Sequence, residues 1–264
     1  MICWNDGALY DEVTVWIAPA DRGFTLGDGV FETLPVRRGA AQHVGRHLAR
    51  LRDGAACLGI PVPYDDAVLD AAFDATVAAN AIEDGSLRLT LTRGPASRGI
   101  ATNFDATPTV LITAAMSTGA PGAVSLIVAK STRRNEFSPL SRIKSLNYLD
   151  SILARREAEQ AGAEDALLLN TSGWVAEATT ANVIVRLDGA LLTPPVEHGA
   201  LPGIARALLI EQGRLVSAAV SPESLHRADA LWLCNSLAVR PVRSLDGRPL
   251  GAVALEDAMA AGHR

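Results

Sequence analysis

The stretch Ser117-Thr-Gly-Ala-Pro-Gly122 carries no large side chain and holds two glycines and a proline. A segment of that composition does not join a packed helix or strand, so it reads as a boundary. It divides the 264 residues into a domain over 1–117 and another over 123–264. A chain of this length can bury a real core in either part. Both parts mix strand-like and helix-like patterns, which makes the expected class α+β.

In the first part, residues 2 to 16 read as two short strands around Asn5-Asp-Gly7, with Val13, Val15 and Ile17 alternating. The run from Asp21 to Thr33 reads as a glycine-studded loop entering a strand. It is not a dinucleotide fingerprint, because the third glycine is missing. Arg38-Gly39 reads as a hairpin turn. Val44, Leu48, Leu51, Ala55 and Leu58 recur at helical spacing until Gly59 and Pro61 stop them. On that helix Arg46 and Arg50 lie one turn apart. A second helix is expected over 65–80 and strands over 87–92 and 109–114. Arg93-Gly-Pro-Ala-Ser-Arg-Gly99 is a loop whose two arginines can reach an anionic ligand.

The second part opens on a strand over 125–130, followed by Lys144 and a helix from about Leu146 to Gln160 that Gly162 closes. Hairpins are expected over 166–176 and 182–193, and a last strand pair over 230–234 and 239–242. Leu201-Pro-Gly-Ile-Ala-Arg206 reads as a helix start with Pro202 near its first turn. Free amides at such a start form an anion site.

Composition narrows the function classes. A net charge of -5 gives no reason to expect nucleic-acid binding. No window approaches eighteen uninterrupted apolar residues, so no membrane span is expected, and the N-terminal residues lack a signal-peptide pattern. Three widely spaced cysteines suit reduced thiols in the cytoplasm. His43 and His47 are four apart, but without a glutamate beside His43 no metal site is expected.

Two residues carry the chemical hypothesis. A lysine at the mouth of an apolar element can lose its proton, because burial disfavours the ammonium. Such a lysine can form a Schiff base with a carbonyl compound, pyridoxal phosphate among them. Lys144 is placed that way, and Glu177 lies about thirty residues on. A carboxylate facing a pyridine nitrogen would keep that ring protonated and electron-accepting. By residue type alone, Lys144 reads far more readily as an ordinary surface lysine near a helix start.

Five segments in order remove that ambiguity: Gly27-Asp-Gly-Val-Phe-Glu32, His47-Leu-Ala-Arg-Leu51, Lys144-Ser-Leu-Asn-Tyr148, Glu177-Ala-Thr-Thr-Ala-Asn182 and Pro202-Gly-Ile-Ala-Arg206. Together they resemble the class IV, fold-type IV pyridoxal-phosphate enzymes over nearly the whole chain. The resemblance implies an α+β fold with a small N-terminal domain, a larger barrel-like C-terminal domain, and pyridoxal 5'-phosphate in the cleft between them. It makes Lys144 the Schiff-base lysine and proton shuttle, and Glu177 the partner of the pyridine nitrogen. Arg50, the amides of Ile204 and Ala205, and Ser236 would bind the phosphate, with Tyr148 near the ring oxygen.

Within the family two activities compete. Arg98 is similar to an arginine that, in D-amino-acid aminotransferases, reaches from the partner subunit to the substrate carboxylate. Its companion donors are replaced here by Phe31 and Ile100. A site without those donors is not assumed to hold the same carboxylate. The Arg93–Gly99 loop and Cys234-Asn-Ser-Leu-Ala-Val-Arg-Pro-Val242 resemble aminodeoxychorismate lyase, although some lyases carry threonine where Glu32 stands. The resemblance therefore implies a lyase of folate biosynthesis, yielding 4-aminobenzoate and pyruvate, with a D- or branched-chain aminotransferase as the alternative. It also implies a small-molecule amine substrate and a homodimer.

Overall fold

The strand that carries Phe31 and Glu32 sits inside an antiparallel sheet, and its alternation sets the rest of its unit. The structure is a computed structural model, describing residues 1–102, 105, 107–119 and 121–257. The chain falls into two units: Met1–Gly119 with Ile143–Asn147, and Ala120–Arg142 with Tyr148–Arg264.

The first unit contains β1 (Ile2–Asn5), β2 (Ala8–Asp11), α1 (Arg22–Leu26), β3 (Gly29–Arg37), β4 (Ala40–Ala41), α2 (Val44–Leu58), α3 (Asp66–Ala79), β5 (Gly85–Thr92) and β6 (Thr109–Met116). Its six strands are ordered β2-β1-β6-β5-β3-β4, and each neighbouring pair is antiparallel. Val30, Leu34 and Val36 of β3 lie in one buried cluster with Leu87, Leu89 and Leu91 of β5, Val110 and Ile112 of β6, and the apolar sides of α2 and α3. Each such side chain stabilises the fold by about 1.5–3 kcal/mol when fully buried. The period of two puts Phe31, Thr33, Arg88 and Thr90 on the opposite face, where Phe31 pairs with Thr90 and Thr33 with Arg88.

The second unit contains β7 (Val124–Val128), α4 (Leu149–Gln160), β8 (Asp165–Leu169), β9 (Val175–Ala178), β10 (Asn182–Leu187), β11 (Ala190–Thr193), α5 (Ile204–Glu211), β12 (Val216–Ser217), α6 (Pro222–Arg227), β13 (Ala230–Cys234), β14 (Val239–Leu245) and β15 (Arg248–Pro249). Its main strand order is β12-β11-β10-β13-β14-β7-β8-β9, with β15 added to β14. The end strand β9 is joined to β10, on the other half of the same order, by only Thr179, Thr180 and Ala181. The Ala178 amide donates to Ala181 O at 2.8 Å across that link. So short a connection curls the sheet towards a barrel. Leu231 and Leu233 of β13 face one cluster, while Ala230, Trp232 and Cys234 face another that includes Ala205 and Leu209 of α5.

Three local expectations are corrected. The second strand ends at Asp11, whose carboxylate caps a 3-10 turn over Glu12–Thr14, and Val13 is 83% exposed instead of alternating into the core. The segment after Asp21 is not all loop: Asp21 caps α1, and Gly27 ends it in the left-handed region. The helix after Lys144 starts at Leu149, not Leu146, because the preceding residues are held in β-type pairing. The boundary is not a single cut either, since Ile143–Asn147 packs with the first unit.

Candidate active site

The lysine segment is fixed by the backbone of β3. Phe31 N donates to Lys144 O at 2.9 Å, and Leu146 N donates to Gly29 O at 3.0 Å, with Val30 and Ser145 bridged between them. Residues 144–146 thus extend the sheet along the edge that the two-residue β4 leaves uncovered. Gly29 is required for this approach. A Cβ there would stand 2.5 Å from Leu91 O and 2.8 Å from Leu146 Cδ1. Asn147 ties the end of the segment by donating through Nδ2 to Gly27 O at 3.1 Å. Lys144 is half-buried, and its Nζ stands 4.4 Å from the centre of the Phe31 ring. The structure therefore brings two of the expected residues together.

Glu32 points to the other face of β3 and is fully buried. It meets α2, where Arg50 Nε donates to Oε1 at 2.8 Å and Nη2 to Oε2 at 2.7 Å. His47 Nδ1 lies 2.6 Å from Oε2 and is equally buried. Burial alone would raise the Glu32 pKa, but the hydrogen bonds and charges of Arg50 and His47 outweigh it and hold the carboxyl below its ordinary range. Arg50, with 11% side-chain exposure, is thus oriented by a sealed carboxylate. His47 belongs to this network, and among the described residues no group of three or more metal-ligating side chains occurs.

In the second unit Glu177 lies on β9, and its Oε1 pairs with Arg134 Nε at 3.0 Å while Oε2 accepts from Leu201 N at 2.9 Å. Arg134 was not singled out by the sequence. Its only signal is that a buried carboxylate on a strand needs a counter-charge, which predicts a partner but not its number. Arg134 is itself held by the carbonyls of Gly199 (3.1 Å) and Ser141 (2.9 Å).

The Leu201 contact carries Glu177 to the start of α5, whose N-cap is Gly203. Asn182 Nδ2 donates to Leu201 O at 2.8 Å, and a Cβ on Gly203 would stand 2.0 Å from Asn182 Oδ1. A side chain on Gly203 would therefore displace the Asn182 amide, and the first amides of α5, those of Ile204 and Ala205, open the helix with no side-chain cap. Ser236 sits in the β13–β14 turn. Asn235 Oδ1 fixes that turn by accepting from Leu237 N (3.0 Å) and Ala238 N (3.1 Å), and Nδ2 reaches Thr180 O at 3.3 Å. Glu177, the α5 start and the Ser236 turn are thereby gathered around the β9–β10 link. Tyr148 is half-buried at the N-cap of α4.

The Arg93–Gly99 loop behaves differently from its expectation. Arg93 is only 4% exposed and is engaged by Asp28 (2.8 Å) and the carbonyls of Leu58 (2.6 Å) and Gly59 (2.9 Å), so it anchors the loop to the end of α2. Arg98 is exposed and lines a depression of about 450 Å³ with Arg22 and Leu26. Ile100 is 86% exposed.

These groups fit pyridoxal phosphate. A lysine amine over an aromatic ring, an arginine braced by a carboxylate, an uncapped helix start crowded down to a glycine, and a carboxylate held by an arginine match the aldehyde, phosphate and ring nitrogen in kind. The family model for class IV aminotransferases matches residues 29–245. A putative branched-chain-amino-acid aminotransferase of Methanocaldococcus jannaschii is 32% identical over 94% of this chain and 89% of its own. A D-alanine aminotransferase of Bacillus licheniformis is 31% identical over 94% and 89%. The crystal structure of 4-amino-4-deoxychorismate lyase from Pseudomonas aeruginosa is 34% identical, covers 98% of this chain and 97% of its own, and superposes with a TM-score of 0.83. The chain belongs to the class IV aminotransferase family and is a fold-type IV, pyridoxal-phosphate-dependent enzyme.

Proposed function

We propose that this enzyme is an aminodeoxychorismate lyase, forming 4-aminobenzoate and pyruvate. The observation that carries the reading is Phe31, a hydroxyl-free ring 4.4 Å from the Lys144 amine. An apolar, flat surface beside the reacting amine suits a cyclic substrate whose product is aromatic better than a small zwitterion. The bound cofactor supplies an electron sink for bonds around the amine-bearing carbon. Lys144 would take the proton from the amine-bearing ring carbon of the substrate. The electron pair closes the aromatic ring as the carbon–oxygen bond to the enolpyruvyl group breaks, and the released enol takes up a proton to become pyruvate. Glu177, paired with Arg134, would face the pyridine nitrogen and favour its protonated form. Arg50, the Ile204 and Ala205 amides and Ser236 would hold the phosphate, and Tyr148 would stand near the ring oxygen.

A second reading, a D- or branched-chain aminotransferase, is favoured by Arg88, whose guanidinium lies on the same Phe31 ring. Incubation with aminodeoxychorismate, and separately with D-alanine, D-glutamate and L-leucine, decides between them. A lyase gives 4-aminobenzoate without added keto acid. Rapid conversion of the cofactor to its amine form by an amino acid, with no 4-aminobenzoate, overturns the lyase reading.

The same reading takes Met1–Gly119 as the core of the small domain and the later unit as that of the large one. It makes the enzyme a homodimer in which Arg98 serves the neighbouring copy. Support for the dimer is a stripe on α4, Leu149, Ile152 and Leu153, exposed by 74%, 57% and 49%. No helix among the described residues is long and apolar enough to cross a membrane. The three cysteines are free, in keeping with a cytoplasmic enzyme.

A further inference from the structure

We propose that Glu136 is a positioning residue for the reaction: it bolts the segment carrying Arg134 to the β8–β9 turn, and so sets how Arg134 meets Glu177. The inference rests on the reading of Glu177 as the group that faces the pyridine nitrogen, and it holds for either the lyase or the aminotransferase.

Four donors converge on Glu136, which is buried. Oε2 accepts from Thr171 N at 3.0 Å and from Thr171 Oγ1 at 2.8 Å. Oε1 accepts from Ser172 N at 3.1 Å and from Ser172 Oγ at 2.7 Å. Thr171 and Ser172 sit on an exposed turn, where hydroxyls ordinarily face water, yet both donate to one carboxylate. Burial alone would raise the Glu136 pKa, but the Ser172 and Thr171 hydrogen bonds outweigh it and bring the carboxyl down to about 2. The clamp is therefore closed at neutral pH and does not itself titrate there.

This bolt closes a ring of contacts around the ion pair. Arg134 N donates to Leu169 O at 2.8 Å, and Arg134 bridges to Asn170, so Arg134 is aligned beside the end of β8. The turn is shut at its base, where Asn170 N donates to Trp174 O at 2.7 Å and Trp174 N to Asn170 Oδ1 at 2.8 Å. Its far arm is β9, which reaches Glu177 three residues after Trp174. Gly199 packs on the other side of the segment: a Cβ there would stand 3.3 Å from Arg134 Cβ and 3.4 Å from Glu136 Cα. Gly199 O accepts from Arg134 Nε, and Leu201, two residues on, donates its amide to Glu177 Oε2. The 3.0 Å contact between Arg134 and Glu177 is thus set from the backbone of both partners, and Glu136 is the side chain that ties one to the other. A turn clamp remote from any working group would serve stability alone. Here a slackened turn moves Glu177 against Arg134.

The experiment uses the cofactor-loaded enzyme and its apoprotein, with Glu136→Gln, Glu177→Gln and the two combined. Thr171→Val with Ser172→Ala is a second variant, which keeps Glu136 charged and both backbone donors in place. Cofactor absorbance is followed against pH, hydrogen exchange is read at the Leu201 amide of the apoprotein, and turnover is measured on the enzyme's substrate. Glu136→Gln should move the midpoint of the absorbance change by about 0.5–1 pH unit, in the direction of Glu177→Gln but by less. It should speed exchange at Leu201 by about tenfold and lower turnover by about tenfold. In the Glu177→Gln background the same change should add nothing to midpoint or turnover, because a residue acting through Glu177 has nothing left to act on. The Thr171 and Ser172 variant should repeat the shift in smaller measure, and it decides the outcome if Glu136→Gln does not fold. A Glu136→Gln enzyme that melts early with wild-type midpoint and turnover would make Glu136 a turn clamp and overturn the proposal. So would losses that add in full to those of Glu177→Gln. An unchanged absorbance profile in Glu177→Gln would overturn the reading of Glu177 and the proposal with it, whereas a shift there and none in Glu136→Gln sinks the proposal alone.

Discussion

Two buried carboxylates, Glu32 and Glu177, each pair with an arginine, and the two pairs are held in different ways. In the first unit the carboxylate has no exposure, while Arg50 keeps 11% of its side chain accessible. In the second, the carboxylate keeps 11% and Arg134 18%, and Arg134 is fastened by two backbone carbonyls as well as by the pair. Under the proposed function Glu32 is the brace and Arg50 the working group, whereas Arg134, tied to two carbonyls, is the brace and Glu177 the working group. Buried ion pairs contribute little net stability once desolvation is counted, but removing one partner is costly. The contrast predicts that damage at a brace appears in folding, and damage at a working group appears in chemistry.

The largest effect should come from breaking the sealed brace. Glu32→Gln leaves Arg50 and His47 without their anion at a fully buried position, and should cost about 3–5 kcal/mol in urea denaturation. The pH dependence has a definite sign. Glu32 has a depressed carboxyl in the folded state, so its stabilisation is present above the unfolded value of about 4.3 and is lost as pH falls through the folded value. Wild-type stability should decline on the acid side of that value, and the Glu32→Gln profile should be flatter there. A variant with wild-type stability, or with the same acid limb, would make Glu32 a spectator.

Next comes the working carboxylate. Glu177→Gln should lose less stability than Glu32→Gln, since an amide still accepts from Leu201 N and Arg134 keeps its two carbonyl partners. Turnover should fall by about 10²–10³-fold, because a neutral amide no longer favours the protonated pyridine. Stopped-flow rates beside a denaturation curve check both halves. Large destabilisation with normal turnover would reverse the contrast between the pairs.

The sequence makes some of this legible and hides the rest for physical reasons. β5 alternates cleanly because one face meets the helices and the other does not, so Leu87, Leu89 and Leu91 stand out. Arg38-Gly39 and Asp188-Gly189 are visible as turns because both residues of each take positive φ. β10 and β13 lack that alternation, being buried on both faces. The start of α4 is misplaced because pairing of residues 144–146 with β3, a tertiary effect, overrides local helix preference. Lys144, Glu177 and the α5 start are readable as motifs, since each is a compact segment. Arg134 and Arg88 are not, because their meaning depends on which strand lies beside them.

The smallest effects test the helical phase that makes Arg50 the working group. Arg46 and Arg50 are four residues apart on α2, so sequence alone makes them near equivalents. Arg50 is half-buried and forked onto Glu32, while Arg46 is exposed. Arg50→Ala should weaken cofactor retention by about 1.5–3 kcal/mol, since a charge-assisted contact is lost while the amides of Ile204 and Ala205 remain. Arg46→Ala should shift stability and cofactor retention by no more than about 0.5 kcal/mol, as expected of an exposed helix position. Dialysis against cofactor-free buffer, followed by absorbance, ranks the two. If Arg46→Ala sheds the cofactor and Arg50→Ala keeps it, the phosphate lies against the other turn of α2. The Glu32 pair would then be a purely structural clamp with no working partner.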